Sequence, residues 1–230
     1  MYNIKTLRGT IFCSPVKYSK ELVIALSDYF EGYLPVIIRD NGGIPGLPVW
    51  QLSSPDEKEV LIFNGEKIDL IRLVENVVDN AFIISFSERC KKVFVKLLEL
   101  INSSCSRMAL APSVIVTEKD VKAPSLYKRL FSIIDFEGVP LDSSNFTQVY
   151  RVNKTITDRE ITINHLSNFH AENELVNMSG INQMRERYIG DFDINTMVNP
   201  EYRFSFDDVK SFFDLVPSLF SSFYNLYFSE

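Results

Sequence analysis

The chain is poor in the residues that most often announce a chemistry. Three cysteines, Cys13, Cys90 and Cys105, occur in 230 residues with no CxxC spacing, which excludes a zinc-ribbon or disulfide framework. An odd number of dispersed thiols suits free cysteines in a reducing compartment. Only two histidines are present, His165 and His170, and no HExxH or G-x-S-x-G motif accompanies them. No run approaches the roughly 18 apolar residues of a membrane span, and the opening MYNIKTLRGT lacks the apolar core of a signal peptide. A cytoplasmic protein without a membrane partner is therefore expected. Positive charge is not in excess: 24 basic residues against 30 acidic give a net charge of −6, which argues against a general polyanion binder.

What is abundant is apolar and aromatic. Hydrophobic residues make up 46% of the chain, with 18 Phe and 10 Tyr, enough for a substantial core and incompatible with a disordered chain. The richest stretch is the last. Phe206, Val209, Phe212, Phe213, Val216, Leu219, Phe220, Phe223, Leu226 and Tyr227 recur at the spacing of one helical face, with Ser205 as N-cap and Asp207 and Asp208 in the first turn. Pro217 falls inside this pattern and predicts a kink near Phe213 or a break into two helices. Before it, Arg187 to Thr196 alternates, with Tyr188, Phe192 and Ile194 on one face and Arg187, Asp191, Asp193 and Asn195 on the other.

From the start of the chain, Ile4 to Cys13 reads as a strand and the segment after Ser14-Pro15 as a helix ending near Gly32. Strands follow at Leu34 to Arg39, Val49 to Ser53 and Glu59 to Phe63. The favoured turn pair Asn64-Gly65 predicts a hairpin that sets Leu61 against Ile68. Ser85-Phe86-Ser87-Glu88 fits a capping box opening a helix that turns Cys90, Val93, Phe94, Leu97, Leu98 and Ile101 inward. The second half follows a similar order: strand Met108 to Thr117, helix Pro124 to Ile134, strands Phe146 to Val152 and Glu160 to Leu166, an uncertain polar stretch from Asn168 to Gln183, then the closing strand and helix. The expected class is α+β: duplicated β-α-β(3-4)-α units, residues 1–105 and 106–230, joined into a curved antiparallel sheet with helices on one side.

That order resembles the doubled fold of the TATA-binding-protein type. Three motifs resemble a sporadically distributed family of uncharacterised bacterial proteins: Val49-Trp50-Gln51-Leu52-Ser53-Ser54, Arg107-Met108-Ala109-Leu110-Ala111-Pro112, and Asp191-Phe192-Asp193-Ile194. Where that family tends to show Arg-Tyr-Asn, this chain has Ala-Pro-Ser. The resemblance implies an architecture and an accessory role in bacteria or phage, such as toxin neutralisation or phage defence. It implies no catalytic chemistry.

Several constellations bear on function. Asp191 and Asp193 project from one face of a strand and, with His165, can hold Mg²⁺, Mn²⁺ or Zn²⁺; equally, a solvated sheet face uses Asp and Asn for solubility. His165 and His170, with Glu172 and Glu174 nearby, have acid–base chemistry available to them, but a spacing of five matches no helical metal pair. Arg89, Lys92 and Lys96 line the polar side of the second helix, either as a docking stripe or as a solvated face. The loop Asn41 to Gly46 is glycine-rich but lacks the Gly-Lys-Ser/Thr ending of a phosphate cradle. Tyr224 and Phe228 fall partly off the apolar stripe of the last helix and mark a candidate interface. Together these predict a non-enzymatic protein without a cofactor that binds a protein partner or a second copy. A nucleic-acid or nucleotide binder using the concave sheet is the alternative, and a metal-dependent enzyme built on Asp191 and Asp193 the third reading.

Overall fold

A long strand and the helix that covers it set the architecture. The computed structural model describes residues 1–27, 29–38, 49–117, 119, 121, 145–178, 181–199 and 201–228. The glycine-rich loop at Asn41 to Gly46 and the helix expected at Pro124 to Ile134 lie outside these residues. Strand β1 (Tyr2–Cys13) occupies the middle of a nine-stranded antiparallel sheet formed with β2 (Leu34–Ile38), β3 (Val49–Ser53), β4 (Glu59–Asn64), β5 (Lys67–Val78), β6 (Cys105–Val116), β7 (Asn145–Ile156), β8 (Arg159–Met178) and β9 (Ile181–Thr196), in the order β2-β3-β4-β5-β1-β6-β9-β8-β7. Three helices complete the described residues: α1 (Lys20–Ala25), α2 (Asn80–Ile101) and α3 (Phe206–Tyr224). The α+β class and the single large antiparallel sheet agree with the sequence pattern.

Burial assigns the two faces. In β1, Ile4 and Leu7 are three apart yet both fully buried, which strict alternation forbids. A bulge between Ile4 and Thr6 resolves the conflict by absorbing one residue, and opposite it Glu75 of β5 takes a left-handed φ of 49°. Beyond the bulge, Leu7, Gly9 and Ile11 face the helices. The fit is closest at Gly9, where an added Cβ would sit 2.4 Å from Cys90 Sγ of α2. Thr6, Arg8, Thr10 and Phe12 face the other way.

On the helix side lies one continuous core. Trp50 stacks on Phe63 with ring centroids 3.7 Å apart and donates to the Val16 carbonyl at 3.2 Å, fixing the segment that leads into α1. The hairpin between β4 and β5 differs in register from the expectation. Asn64 pairs with Lys67 and Leu61 with Leu70, so the turn is Gly65-Glu66, with Gly65 at φ 59° in the position where a type II′ turn requires glycine. The shift is by an even number, so Leu61, Phe63, Ile68 and Leu70 still share the buried face.

The long helices meet each other as well as the sheet. α2 begins at Asn80, five residues before the expected capping box, because the Asp79 carboxylate accepts from the Phe82 amide at 3.0 Å and caps the helix earlier. Ser87, read as part of a cap, is instead buried against α3. α3 starts as expected with Ser205 as N-cap, and the cap is a full capping box in which Ser205 and Asp208 satisfy each other's amides. Arg159, at the start of β8, donates to the Asp208 carboxylate and to the Arg203 carbonyl and lies over the Phe204 ring. Burial pushes the Asp208 carboxyl up, but the Ser205 amide and hydroxyl and the Arg159 guanidinium outweigh it and hold the group below the usual carboxylate range.

Pro217 does not divide α3. It leaves the Phe213 carbonyl without its helical N–H, and the Ser87 hydroxyl of α2 takes that place at 2.5 Å. Phe94 packs on Phe213 beside this bond, and Lys91 reaches both Glu88 and Asp214 at 2.5 Å.

Candidate functional site

The sheet face away from α2 and α3 carries a polar trough along β6. Its floor is made of small side chains, Ala109, Ala111 and Ser113. Across β1 they stand beside Thr10, Arg8 and Thr6, and on the other flank Ala109 pairs with Asn195 and Ser113 with Asp191. A cavity of about 260 Å³ opens there, lined by Thr6, Arg8, Ile71, Ala111, Ser113, Asp191 and Asp193 among others. At one end the Arg107 guanidinium lies over the Phe12 ring, and at the other His170 Nδ1 stands 3.6 Å from Asp191 Oδ2.

Asp191 and Asp193 do project from one face, as their spacing requires. They differ in what they meet. Ser113 donates to Asp191 Oδ1 at 2.6 Å, whereas Asp193 Oδ1 is buried without a hydrogen-bond partner. The same holds for Arg8 Nε, Arg107 Nε, His170 Nδ1 and Asn195 Nδ2. All of these atoms belong to strand positions on the trough face, and only His165 Nε2 among the described unpaired atoms lies elsewhere. A buried polar group without a partner costs about 1–3 kcal/mol. Folded proteins keep few of them, and here they concentrate on one face of the sheet.

The other residues singled out in the sequence separate. His165 pairs with Ile194 in register and therefore lies on the helix side, away from both aspartates, with its ring against Phe223 at 5.1 Å. Burial, with the charge of Lys154, holds its imidazole below the ordinary value and hence neutral at pH 7. The three expected metal ligands thus do not converge, and among the described residues no three His, Cys, Asp or Glu side chains are placed to hold an ion.

Tyr224 and Phe228, expected at an interface, are core residues with 6% and 1% exposure. Tyr224 packs edge-on against Tyr2 at 4.9 Å, and Phe228 bridges to Val121 and stacks obliquely on Tyr224 at 4.3 Å. The basic stripe of α2 is also divided. Arg89 turns inward to Glu59 at 2.6 Å, while Lys92 is exposed and Lys96 half-buried. The three cysteines are buried, with burial pushing Cys13 and Cys105 up to about 12 and Cys90 well above the usual thiol value. They are packing residues without thiolate reactivity at neutral pH.

No helix in the described residues is long and apolar enough to cross a membrane. Compared with protein-family models and with curated proteins, the chain matches none.

Proposed function

We propose that this protein works by binding another protein, and that the trough on the sheet face away from α2 and α3 is where the partner docks. One observation carries the reading: the unpaired buried atoms of Arg8, Arg107, Asp193, Asn195 and His170 all belong to that face. They are of mixed kind. The Arg8 and Arg107 guanidiniums and the Asn195 amide offer N–H donors, while Asp193 offers an acceptor. A protein segment presenting a carboxylate or carbonyls to the donors and an N–H to Asp193 satisfies both sets. A phosphate backbone satisfies only the first and meets the charges of Asp191 and Asp193. The small floor at Ala109 and Ala111 lets a partner side chain approach the strand closely.

The same reading includes a duplicated architecture with the doubled arrangement of the TATA-binding-protein type. Outward from the β1–β6 pair, the sheet runs β5-β4-β3-β2 on one side and β9-β8-β7 on the other, so the first series carries one more strand. Each series is closed by a long helix, and α2 and α3 pack together. This correspondence supports two units meeting at a pseudo-twofold axis.

The test uses the tagged full chain purified from its native host, with light scattering on the eluate. Wild type is expected to bring down one protein in stoichiometric amount. Ala111→Arg, which fills the trough from its floor, is expected to lose that protein while unfolding within a few degrees of wild type. Lys92→Glu on α2 is expected to keep it. Co-elution of nucleic acid with the wild type, or a partner retained by Ala111→Arg and lost by Lys92→Glu, contradicts the proposal.

A further inference from the structure

The structure points to a second binding site on the helix side of the sheet, and we propose that it receives an oxyanion, a carboxylate or phosphate, carried on an aromatic or other apolar body. It lies on the opposite face from the trough and stands or falls independently of it.

The site is a cavity of about 500 Å³ walled by Tyr33, Lys58, Glu59, Arg72, Phe82 and Arg89. That volume falls within the range of small-molecule pockets. At its base is the Glu59 carboxylate, 5% exposed. Tyr33 donates to Glu59 Oε1 at 2.8 Å and Arg89 Nε at 2.6 Å, and Arg89 is itself fixed by the Tyr29 carbonyl at 3.0 Å and the Phe30 ring beneath it. Glu59 and Arg89 therefore form a closed, internally neutral pair.

Arg72 is left over. Its Nη1 is 3.7 Å from Glu59 Oε2, beyond hydrogen-bonding range, and its side chain is 43% exposed. The guanidinium lies 5.4 Å over the Phe82 ring, which orients a planar fork of donors without occupying them. Lys58 stands on the same wall, so the cations Lys58, Arg72 and Arg89 exceed the anions Asp56 and Glu59 by one. Phe82 belongs to the first turn of α2, whose end the Asp79 carboxylate caps. Val74, Val78 and the Phe82 ring supply the apolar wall.

The backbone beside this cavity is shaped by two left-handed residues, one of them at the bulge opposite β1. Glu57 and Glu75 both hold a left-handed φ, 57° and 49°, a conformation that non-glycine residues adopt at a cost. Their neighbours on both sides, Asp56 and Lys58 in one case and Val74 and Asn76 in the other, line the cavity. Backbone held in this way, in the turn before β4 and within β5, shapes the wall that carries Lys58 and Arg72.

The experiment is a titration of the full chain with phenyl phosphate and with benzoate, followed by the side-chain Nε–H resonances of arginine. At least one probe is expected to bind saturably and shift Arg72, and the tighter of the two identifies the oxyanion. Arg72→Gln is expected to weaken binding at least tenfold, and Lys58→Gln severalfold. Arg8→Gln, in the trough, is expected to leave it unchanged. Failure of both probes to saturate at millimolar concentration, or equal binding by Arg72→Gln and wild type, overturns the site. Because Glu59 keeps Arg89 and Tyr33 in these variants, an unchanged thermal midpoint separates loss of the ligand from loss of the fold.

Discussion

Phe192→Ala is expected to destabilise the protein by about 3–5 kcal/mol, the range for truncating a fully buried aromatic ring. Phe192 is 1% exposed and sits between the sheet and the end of α3. Its ring lies within 5.6 to 6.2 Å of Phe169, Phe220, Phe223, Tyr224, Tyr227 and Phe228, mostly edge-on or tilted. These geometries let ring edges meet ring faces, which adds to the burial of apolar area. Neighbours on β8, on α3 and in the segment after it cannot all move toward one void, so the cavity stays open and the cost lies above simple transfer. Urea and thermal unfolding followed by circular dichroism measure it, and for a chain of this size the midpoint falls by roughly 10 °C or more. Phe192→Leu is expected to lose less than half as much. A loss below about 1 kcal/mol for the alanine variant shows that this cluster does not hold α3 to the sheet.

The bond between Ser87 and α3 gives the second large effect, and one with a distinctive coupling. Ser87→Ala removes the hydroxyl that donates to the Phe213 carbonyl and strands a buried acceptor, a loss of about 1–3 kcal/mol. The carbonyl needs that donor because residue 217 is proline. Pro217→Ala restores a main-chain N–H within reach of the same oxygen, so in that background Ser87→Ala is expected to cost only a few tenths of a kcal/mol. A double-mutant cycle on unfolding free energies reads the difference directly. Additive losses contradict the assignment of Ser87 as the replacement for the missing amide.

Much of this arrangement could be read from the sequence, and the parts that could not share a cause. Period two along Arg187 to Thr196 places Asp191 and Asp193 opposite Phe192 without any knowledge of the neighbouring strands, and the structure keeps that division. The N-cap at Ser205 is equally local. What periodicity cannot supply is which strand lies beside which. The trough exists because Arg8, 103 residues before Ala111, is its register partner, and no local pattern links them. His165 appeared to belong with the aspartates until its pairing with Ile194 placed it on the other face. From Asn168 onward the apolar residues Phe169, Ala171, Leu175, Val176 and Met178 keep no sustained alternation among the polar ones. The segment is a strand because β9 pairs with it residue by residue as far as Met178 and Ile181. Tyr224 fell off the helical stripe only when α3 was considered alone, since Tyr2 at the start of β1 covers it. Arg89 looked solvated for the same reason, its partner Glu59 lying 30 residues earlier.

The central claim is that the polar groups of the trough serve recognition and not stability, and Asp193→Ala tests it most directly when partner retention and thermal midpoint are measured on the same preparation. Asp193 Oδ1 is buried without a hydrogen-bond partner, so removing it relieves a desolvation cost. The account predicts an unchanged or raised midpoint together with loss of the partner, the trade expected where a site is built for function at the expense of stability. A midpoint lowered by several degrees with the partner fully retained would make Asp193 a structural residue and contradict the assignment of the trough.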